Sequence, residues 1–476
     1  MKKLLIIGLL IVSAVSCEDF EGWNIDKKHP GEVSGSYLVT TAQREMAQRM
    51  WSISVNYNIF GMLAQHWTET TYVDEANYDL VNRNIGGNFW LNIYTQVLAN
   101  LEEAKKIITD DPLLGAQQKA NQLAIIEIME VYQWQIMVDT FGDIPYSEAL
   151  IGIENLVPAY DNDADIYADL FDRIDAALAT LNAGGSSFGG ADLIYNGDVS
   201  NWKKFANTLK LRMAVRIADV DATTAAAKAN EAITAGVINS ASANAAFPFE
   251  TNPVNANPMW VSLVQSGRDD FVVANTFVDV IAPLNDPRAS VFMDDNKVPY
   301  IGGPYGTNNT YGNYTHIGDD FHVETLPGIL ATYDETEFLI AEAIARGLVS
   351  GDAEAHYNNA VTASIAYWTG SSSSAAAYLA QPTVKYNAAN WKESIGIQKW
   401  ISLFGRGFEA WASWRNLDYP AMNRPGDFGA DVPVPRRYIY PNTESAINTT
   451  NYEAASAAMG GDLLSSRVFW DKGVGN

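Results

Sequence analysis

Apolar side chains recur at three- and four-residue steps over much of this chain. Between Asn88 and Thr109 they fall at Phe89, Ile93, Val97, Leu101 and Ala104, one face of a helix, and Asp111 and Pro112 end the run. The pattern returns from Gln117 to Asp139 at Leu123, Ile126, Met129, Val131 and Trp134, and breaks at Phe141, Gly142 and Asp143. Two such helices joined by a short turn pack as an antiparallel pair. Asp165 to Leu181 with Asn201 to Ile217, and Glu335 to Arg346 with Ala353 to Trp368, are expected to form further pairs. In the last pair Ala341, Ala345 and Gly347 face Ala355, Ala360 and Ala363, small residues that let two backbones approach as tetratricopeptide-like hairpins do. No strict repeat period is visible.

The texture changes between residues 240 and 333. Pro248, Pro253, Pro258, Pro283, Pro287, Pro299 and Pro304 rule out long helices, and Asn, Gly and Tyr crowd the stretch from Pro299 to Tyr314. Apolar residues stay frequent, so this region is expected to be ordered loops with a few short strands. A smaller loop region covers about residues 66–87, another begins at Pro420, and Ser371 to Ser374 is an exposed turn.

The first residues read as an export signal, with Lys2 and Lys3, an apolar run from Leu4 to Val12, and the small residues Ser13, Ala14 and Ser16 before Cys17. The apolar run is shorter than the roughly 20 residues a membrane span needs. Cys17 is the only cysteine of the chain, so it can form no internal disulfide and no metal-binding pair. It is expected to carry a lipid, and residues 17–38 to form a flexible tether behind the signal of residues 1–16. The body, 39–476, is then a helical scaffold at about 88–235 and 334–416, a ligand region at about 66–87 and 240–333, and a C-terminal segment, 420–476.

Charge narrows the partners. Losing Lys2 and Lys3 leaves 29 basic against 56 acidic residues, a net charge of −27, which repels nucleic acid and anionic lipid alike. The lipid must therefore hold the body to its membrane.

Catalytic and metal signatures are missing. There is no nucleophile elbow, phosphate loop, dinucleotide fingerprint or paired-histidine zinc helix. His29, His66, His316, His322 and His356 have no ligand spacing. Asp161, Asp163 and Asp165 alternate as in a calcium loop, but Ile166 and Asp172 stand where glycine and glutamate belong, so Asp165 is expected to cap a helix starting at Ile166. No cofactor is expected; a structural calcium ion is left open, without a motif to hold it. Asp269 with Asp270, and Asp319 with Asp320, are the adjacent acids that a glycosidase reading would use.

The loops offer aromatic rings beside amides. A sugar presents an apolar C–H face ringed by hydroxyls, so its binder needs an aromatic platform with polar groups at the edge. Trp67, Tyr72, Asn77 and Tyr78 offer this on the first loop, and Trp260, Tyr300, Tyr305, Tyr311 and Tyr314 on the second.

Asp139-Thr140-Phe141-Gly142-Asp143-Ile144-Pro145-Tyr146-Ser147-Glu148-Ala149, after a helix with Tyr132 and Trp134, resembles the most characteristic stretch of the SusD/RagB family of Bacteroidetes lipoproteins. Asp192 to Asp198 before Trp202 to Arg212, Asp286-Pro287-Arg288, Glu337 to Gly347, Glu409 to Arg415, Arg437 to Glu444 and Arg467 to Asp471 are similar to further segments of that family, in order. The resemblance implies a mainly α fold, a tetratricopeptide-like scaffold of helix pairs with an irregular ligand region packed on it. It also implies a non-catalytic role: capture of an oligosaccharide, or in the alternative a peptide, at the outer-membrane surface, as lid of a SusC-like TonB-dependent β-barrel transporter. An all-helical surface glycosidase and a ligand-free envelope scaffold are the competing readings. In the same frame Glu18, Asp19 and Glu21 resemble the family's mark for surface export, Gly142 and Pro145 stop a helix, and Arg212 and Arg415 are expected to pair with buried carboxylates.

Overall fold

The computed structural model describes residues 33–426 and 433–473. The signal, Cys17 and most of the tether lie outside them. Helices carry the fold, and most of the long ones start where a polar side chain can take a free backbone N–H. Ser34 does this for α1 (Gly35–Met50), which buries Val39, Ala42 and Met46. Residues 35–38, expected in the tether, are therefore the first turn of a packed helix.

α2 (Ile85–Asn92) runs through a π-helical turn, Ile93–Leu98, into α3 (Ala99–Asp110). α4 (Ala116–Phe141) follows, and ends at Gly142 with φ +82°, where a Cβ would meet the Met459 sulfur at 2.5 Å. α5 spans Asp163–Thr180, and its cap is the Asn162 side chain, which accepts from the Ala164 N–H. Asp165 is thus not the cap; it lies in the first turn, where its charge suits the helix dipole. α6 (Val199–Arg216) is capped by Asp198, α7 (Ala222–Ala235) by Asp221, α8 (Tyr333–Ala345) by Thr332 and α9 (Ala353–Thr369) by Asp352. α10 (Trp391–Ser402) and α11 (Gly407–Leu417) complete the scaffold.

The pairs α8 with α9 and α3 with α4 pack as expected, the first with Ala341 and Ala360 fully buried between the backbones. The expected pair of α5 and α6 is secondary: α5 lies mainly on α4, and α6 on α7, whose Ala225, Ala229 and Ala232 are buried without trace of exposure. Such small side chains suit a close approach of two helix backbones.

The irregular region holds two antiparallel strand pairs. β1 (Trp67–Glu69) pairs with β3 (Phe271–Val273), Trp67 opposite Val273 and Glu69 opposite Phe271, and β2 (Ala245–Phe247) pairs with β4 (Gly328–Ala331). Both pairs tie distant parts of the irregular region to one another. Trp51, Trp202, Trp400, Trp411, Trp414 and Trp470 are fully buried in the core beneath.

Buried charge ties the helices together. Arg212 on α6 reaches Glu335 on α8 at 2.7 Å and Glu409 on α11 at 3.3 Å, as expected of it. Arg216 bridges Glu409 at 2.5 Å and Asp139 at the end of α4. Asp139 also accepts from the Tyr167 hydroxyl at 2.7 Å and the Trp470 indole at 2.6 Å. Arg415 departs from expectation. It donates to the backbone carbonyls of Asp139 and Arg436 at 2.7 and 2.8 Å, and its guanidinium lies 3.6 Å from the Trp411 ring centre. A carbonyl pair and an aromatic face replace the carboxylate there.

Among the described residues no helix is long and apolar enough to cross a membrane.

Candidate ligand-binding face

Where β1 ends, the chain turns outward. The Thr70 N–H donates to the Asp270 carbonyl at 2.9 Å and its hydroxyl to the Asp269 carbonyl at 2.5 Å, which extends the β1–β3 contact by one step. Two residues later Tyr72 is 66% exposed with φ +56°. Beside it Arg268 holds Asp270 in a two-point ion pair at 2.6 and 3.1 Å. The second loop comes to the same place: the Tyr311 ring stacks on His316 with centroids 3.7 Å apart and planes 9° from parallel. Asn296 holds the His316 ring at 3.1 Å, and the Tyr300 hydroxyl donates to Asp295 at 3.1 Å.

The electrostatics confirm the neighbourhood. Partial burial raises the Tyr311 phenol above its ordinary pKa, and the carboxylates of Asp269, Asp294 and Asp319 raise it further. Tyr300 is pushed up to about 12, by burial and then by Asp295. Both phenols are therefore neutral hydrogen-bond donors at physiological pH. Tyr72, the Arg268–Asp270 pair and the Tyr311–His316 stack are thus carried by loops that meet at Thr70, and form the candidate face: rings with charged and amide groups nearby.

Asn309 holds this surface together from beneath. Its N–H donates to the Thr70 carbonyl at 2.9 Å, and its side-chain amide to the carbonyls of Glu69, Pro304 and Thr307 at 2.9, 3.2 and 2.8 Å.

Of the nine residues singled out from the sequence, Tyr72 is exposed, Tyr300, Tyr311 and Tyr314 are half-buried on the second loop, and Trp260 is half-buried in the helical turn Pro258–Trp260. The other four face inward. Trp67 is 3% exposed and lies so close over Gly61 that a Cβ there would overlap its ring. Asn77 spends its amide on the Val73 and Gly306 carbonyls, both at 2.7 Å. Tyr78 accepts from Gln65 at 3.2 Å, and Tyr305 donates to the Met62 carbonyl at 2.9 Å. These four build the support under the face; a platform ring needs an open side, which strand pairing denies Trp67.

A larger cleft of about 1010 Å3 runs along α3, α4 and α5. Its charges answer one another: Lys105 and Arg173 both reach Glu127 and Glu130, and Arg173 also donates to the Tyr146 hydroxyl at 2.7 Å. It is an ion network in the scaffold, with Tyr146 packed edge-on against Trp134.

Residues 27–441 match a family model described as SusD-like, starch-binding associating with outer membrane. The chain belongs to the SusD-like family. Solved relatives repeat the fold over nearly the whole length of this SusD-like chain. A chitin-binding protein is 29% identical, with a TM-score of 0.80, covering 92% of this chain and 100% of its own. A chitin-binding SusD homologue from Flavobacterium johnsoniae is 25% identical, with a TM-score of 0.79 over 92% of this chain and 99% of its own. A SusD homologue from Bacteroides uniformis is also 25% identical, with a TM-score of 0.79 over 92% and 100%. Comparison with curated proteins finds no match.

Several of the residues quoted for the resemblance are buried where the helices of this SusD-like protein meet its C-terminal segment. Asp139, Arg212, Glu409, Arg415 and Trp470 form the buried network, which explains why they mark the family without touching the loop face. Arg268, Asn296 and His316 belong to the face and were not singled out as binders. His316 has no ligand spacing in the sequence, and its stacking on Tyr311 is a contact no spacing rule announces.

Proposed function

We propose that this protein captures an oligosaccharide on the loop face around Tyr72, Arg268 and Tyr311, and hands it to a SusC-like TonB-dependent transporter, while a lipid on Cys17 keeps it at the outer-membrane surface. The open pairing of rings with polar edges carries the reading. Flat rings stack on sugar C–H faces, and Arg268, Asp270 and Asn296 stand where ring hydroxyls need partners. Membership of a starch-binding family and the chitin-binding names of two relatives support a glycan over a peptide.

The role is binding without turnover. Glu69, the carboxyl that most resembles a catalytic acid, is raised to about 9 by burial and by Glu75, but its Oε2 accepts the Ala76 N–H at 3.0 Å inside the protein, out of reach of any substrate. The acids of the face are in the open, and Asp270 is neutralised by Arg268.

The test is titration of chitin and starch oligosaccharides into wild type, Tyr72→Ala and Tyr311→Ala. Each variant should lose about threefold to tenfold in affinity, the worth of one ring contact, with an unchanged melting temperature. Trp67→Ala should instead cost about 3–5 kcal/mol of stability. Full affinity in both tyrosine variants would refute the assignment of this face.

A further inference from the structure

A second cleft, of about 530 Å3, opens between the C-terminal half of α1 and the loop 253–262, and shares no lining residue with the loop face. Its charge is opposite to that of the molecule. Arg44 and Arg49 both line it and both grip a single carboxylate, Glu45, at 2.7 and 2.6 Å. Two guanidiniums on one carboxylate leave a positive excess, in a chain of formal net charge −25. Glu250, on the opposing loop, is turned toward Asn255 at 3.1 Å.

The cations are built in. Arg49 is nine-tenths buried, fixed by Glu45 on one side and by the Tyr57 ring, 4.2 Å from its guanidinium carbon, on the other. Its Nε, like that of Arg44, is buried without a hydrogen-bond partner, so neither guanidinium has spent its donors. The Arg44 side chain remains 36% exposed. The Gln48 amide and the Ser262 hydroxyl line the same cleft, and Pro253, Val254 and Val261 give it an apolar wall.

We propose that this cleft binds the carboxylate-bearing ring of an acidic glycan, a hexuronate. A guanidinium fork matches a carboxylate in geometry as well as charge, and each of the two arginines commits only its Nη2 to Glu45. The amide and hydroxyl suit ring hydroxyls, the apolar wall suits the C–H face, and the volume falls in the range of small-ligand sites. A surface cation alone would attract any anion; the walled cleft selects a sugar.

The experiment titrates trigalacturonate and its neutral counterpart into the full-length chain in detergent, at low salt. Trigalacturonate should bind and the neutral trisaccharide should not displace it. Arg44→Gln should weaken that binding about tenfold at an unchanged melting temperature. Val254→Asp, which places a carboxylate on the exposed wall, should weaken it as well without touching either arginine. Tyr311→Ala should leave it intact, which separates this cleft from the loop face: neutral glycan can fail to bind there while the uronate still binds here. Absence of trigalacturonate binding, or an affinity indifferent to both Arg44→Gln and Val254→Asp, overturns the proposal.

Discussion

Glu69 ends β1 with its carboxyl turned inward against Glu75, which Arg83 holds at 2.9 Å. Burial, then Glu75, lifts the Glu69 pKa from the ordinary 4.5 to about 9. Below pH 4.5 the folded and unfolded chains both keep this proton. From there up to about 9 the unfolded chain releases it and the folded chain does not, so stability present at low pH is lost progressively across that window. Glu69→Gln retains an acceptor for Ala76 and a donor for Glu75, with nothing to ionise. At pH 8 it should be more stable than wild type by an amount on the order of a few kcal/mol, with the gain closing below pH 4.5 in thermal melts. Parallel melting curves at every pH would mean that Glu69 titrates in the folded protein as it does in the unfolded one.

At the scale of elements, the loop face is held by the Asn309 amide, which ties the Glu69 carbonyl at the end of β1 to the Pro304 and Thr307 carbonyls of its own loop. Asn309→Ala strands those acceptors and should cost about 1–3 kcal/mol. Hydrogen exchange should quicken over residues 304–316, and glycan affinity should fall with it, while the scaffold helices keep their protection. Exchange unchanged over that stretch would show that other contacts order the loop. The helices themselves were largely legible. α4, α8 and α9 carry apolar steps or small-residue crossings that local sequence displays, whereas α7 escaped notice because Ala225, Ala229 and Ala232 give little contrast between faces. The start of α1 is hidden for a similar reason: the helix mixes Gln43 and Glu45 into its buried side. The face was legible only as composition. Trp67 and Tyr72 sit five residues apart in the same loop region, and which of them points outward is settled by pairing with residues 271–273, a long-range register that no local pattern contains.

For the whole molecule, closure depends on segments far apart in the chain meeting at Asp139, where Arg216, Tyr167 and Trp470 converge. Asp139→Ala would leave Arg216 with one carboxylate fewer and the buried donors of Gln135, Tyr167 and Trp470 each without this acceptor, so denaturant unfolding should report a loss of about 3–5 kcal/mol, even though no residue of the loop face is touched. A body closed in this way carries its ligand face whether or not it is near a membrane. Its formal net charge of −25 gives it no attraction to anionic lipid, and among the described residues no helix spans a bilayer. On the proposed reading attachment falls to a lipid on Cys17, which lies outside the described residues. Capture and delivery make different demands: capture needs only the loop face, and delivery needs the face held beside its channel at high effective concentration. Cys17→Ala separates the two. The purified variant should bind oligosaccharide with wild-type affinity, its share in the membrane fraction should collapse, and growth on the glycan should fail. Normal growth of that strain would show that something other than the lipid keeps the protein at the transporter.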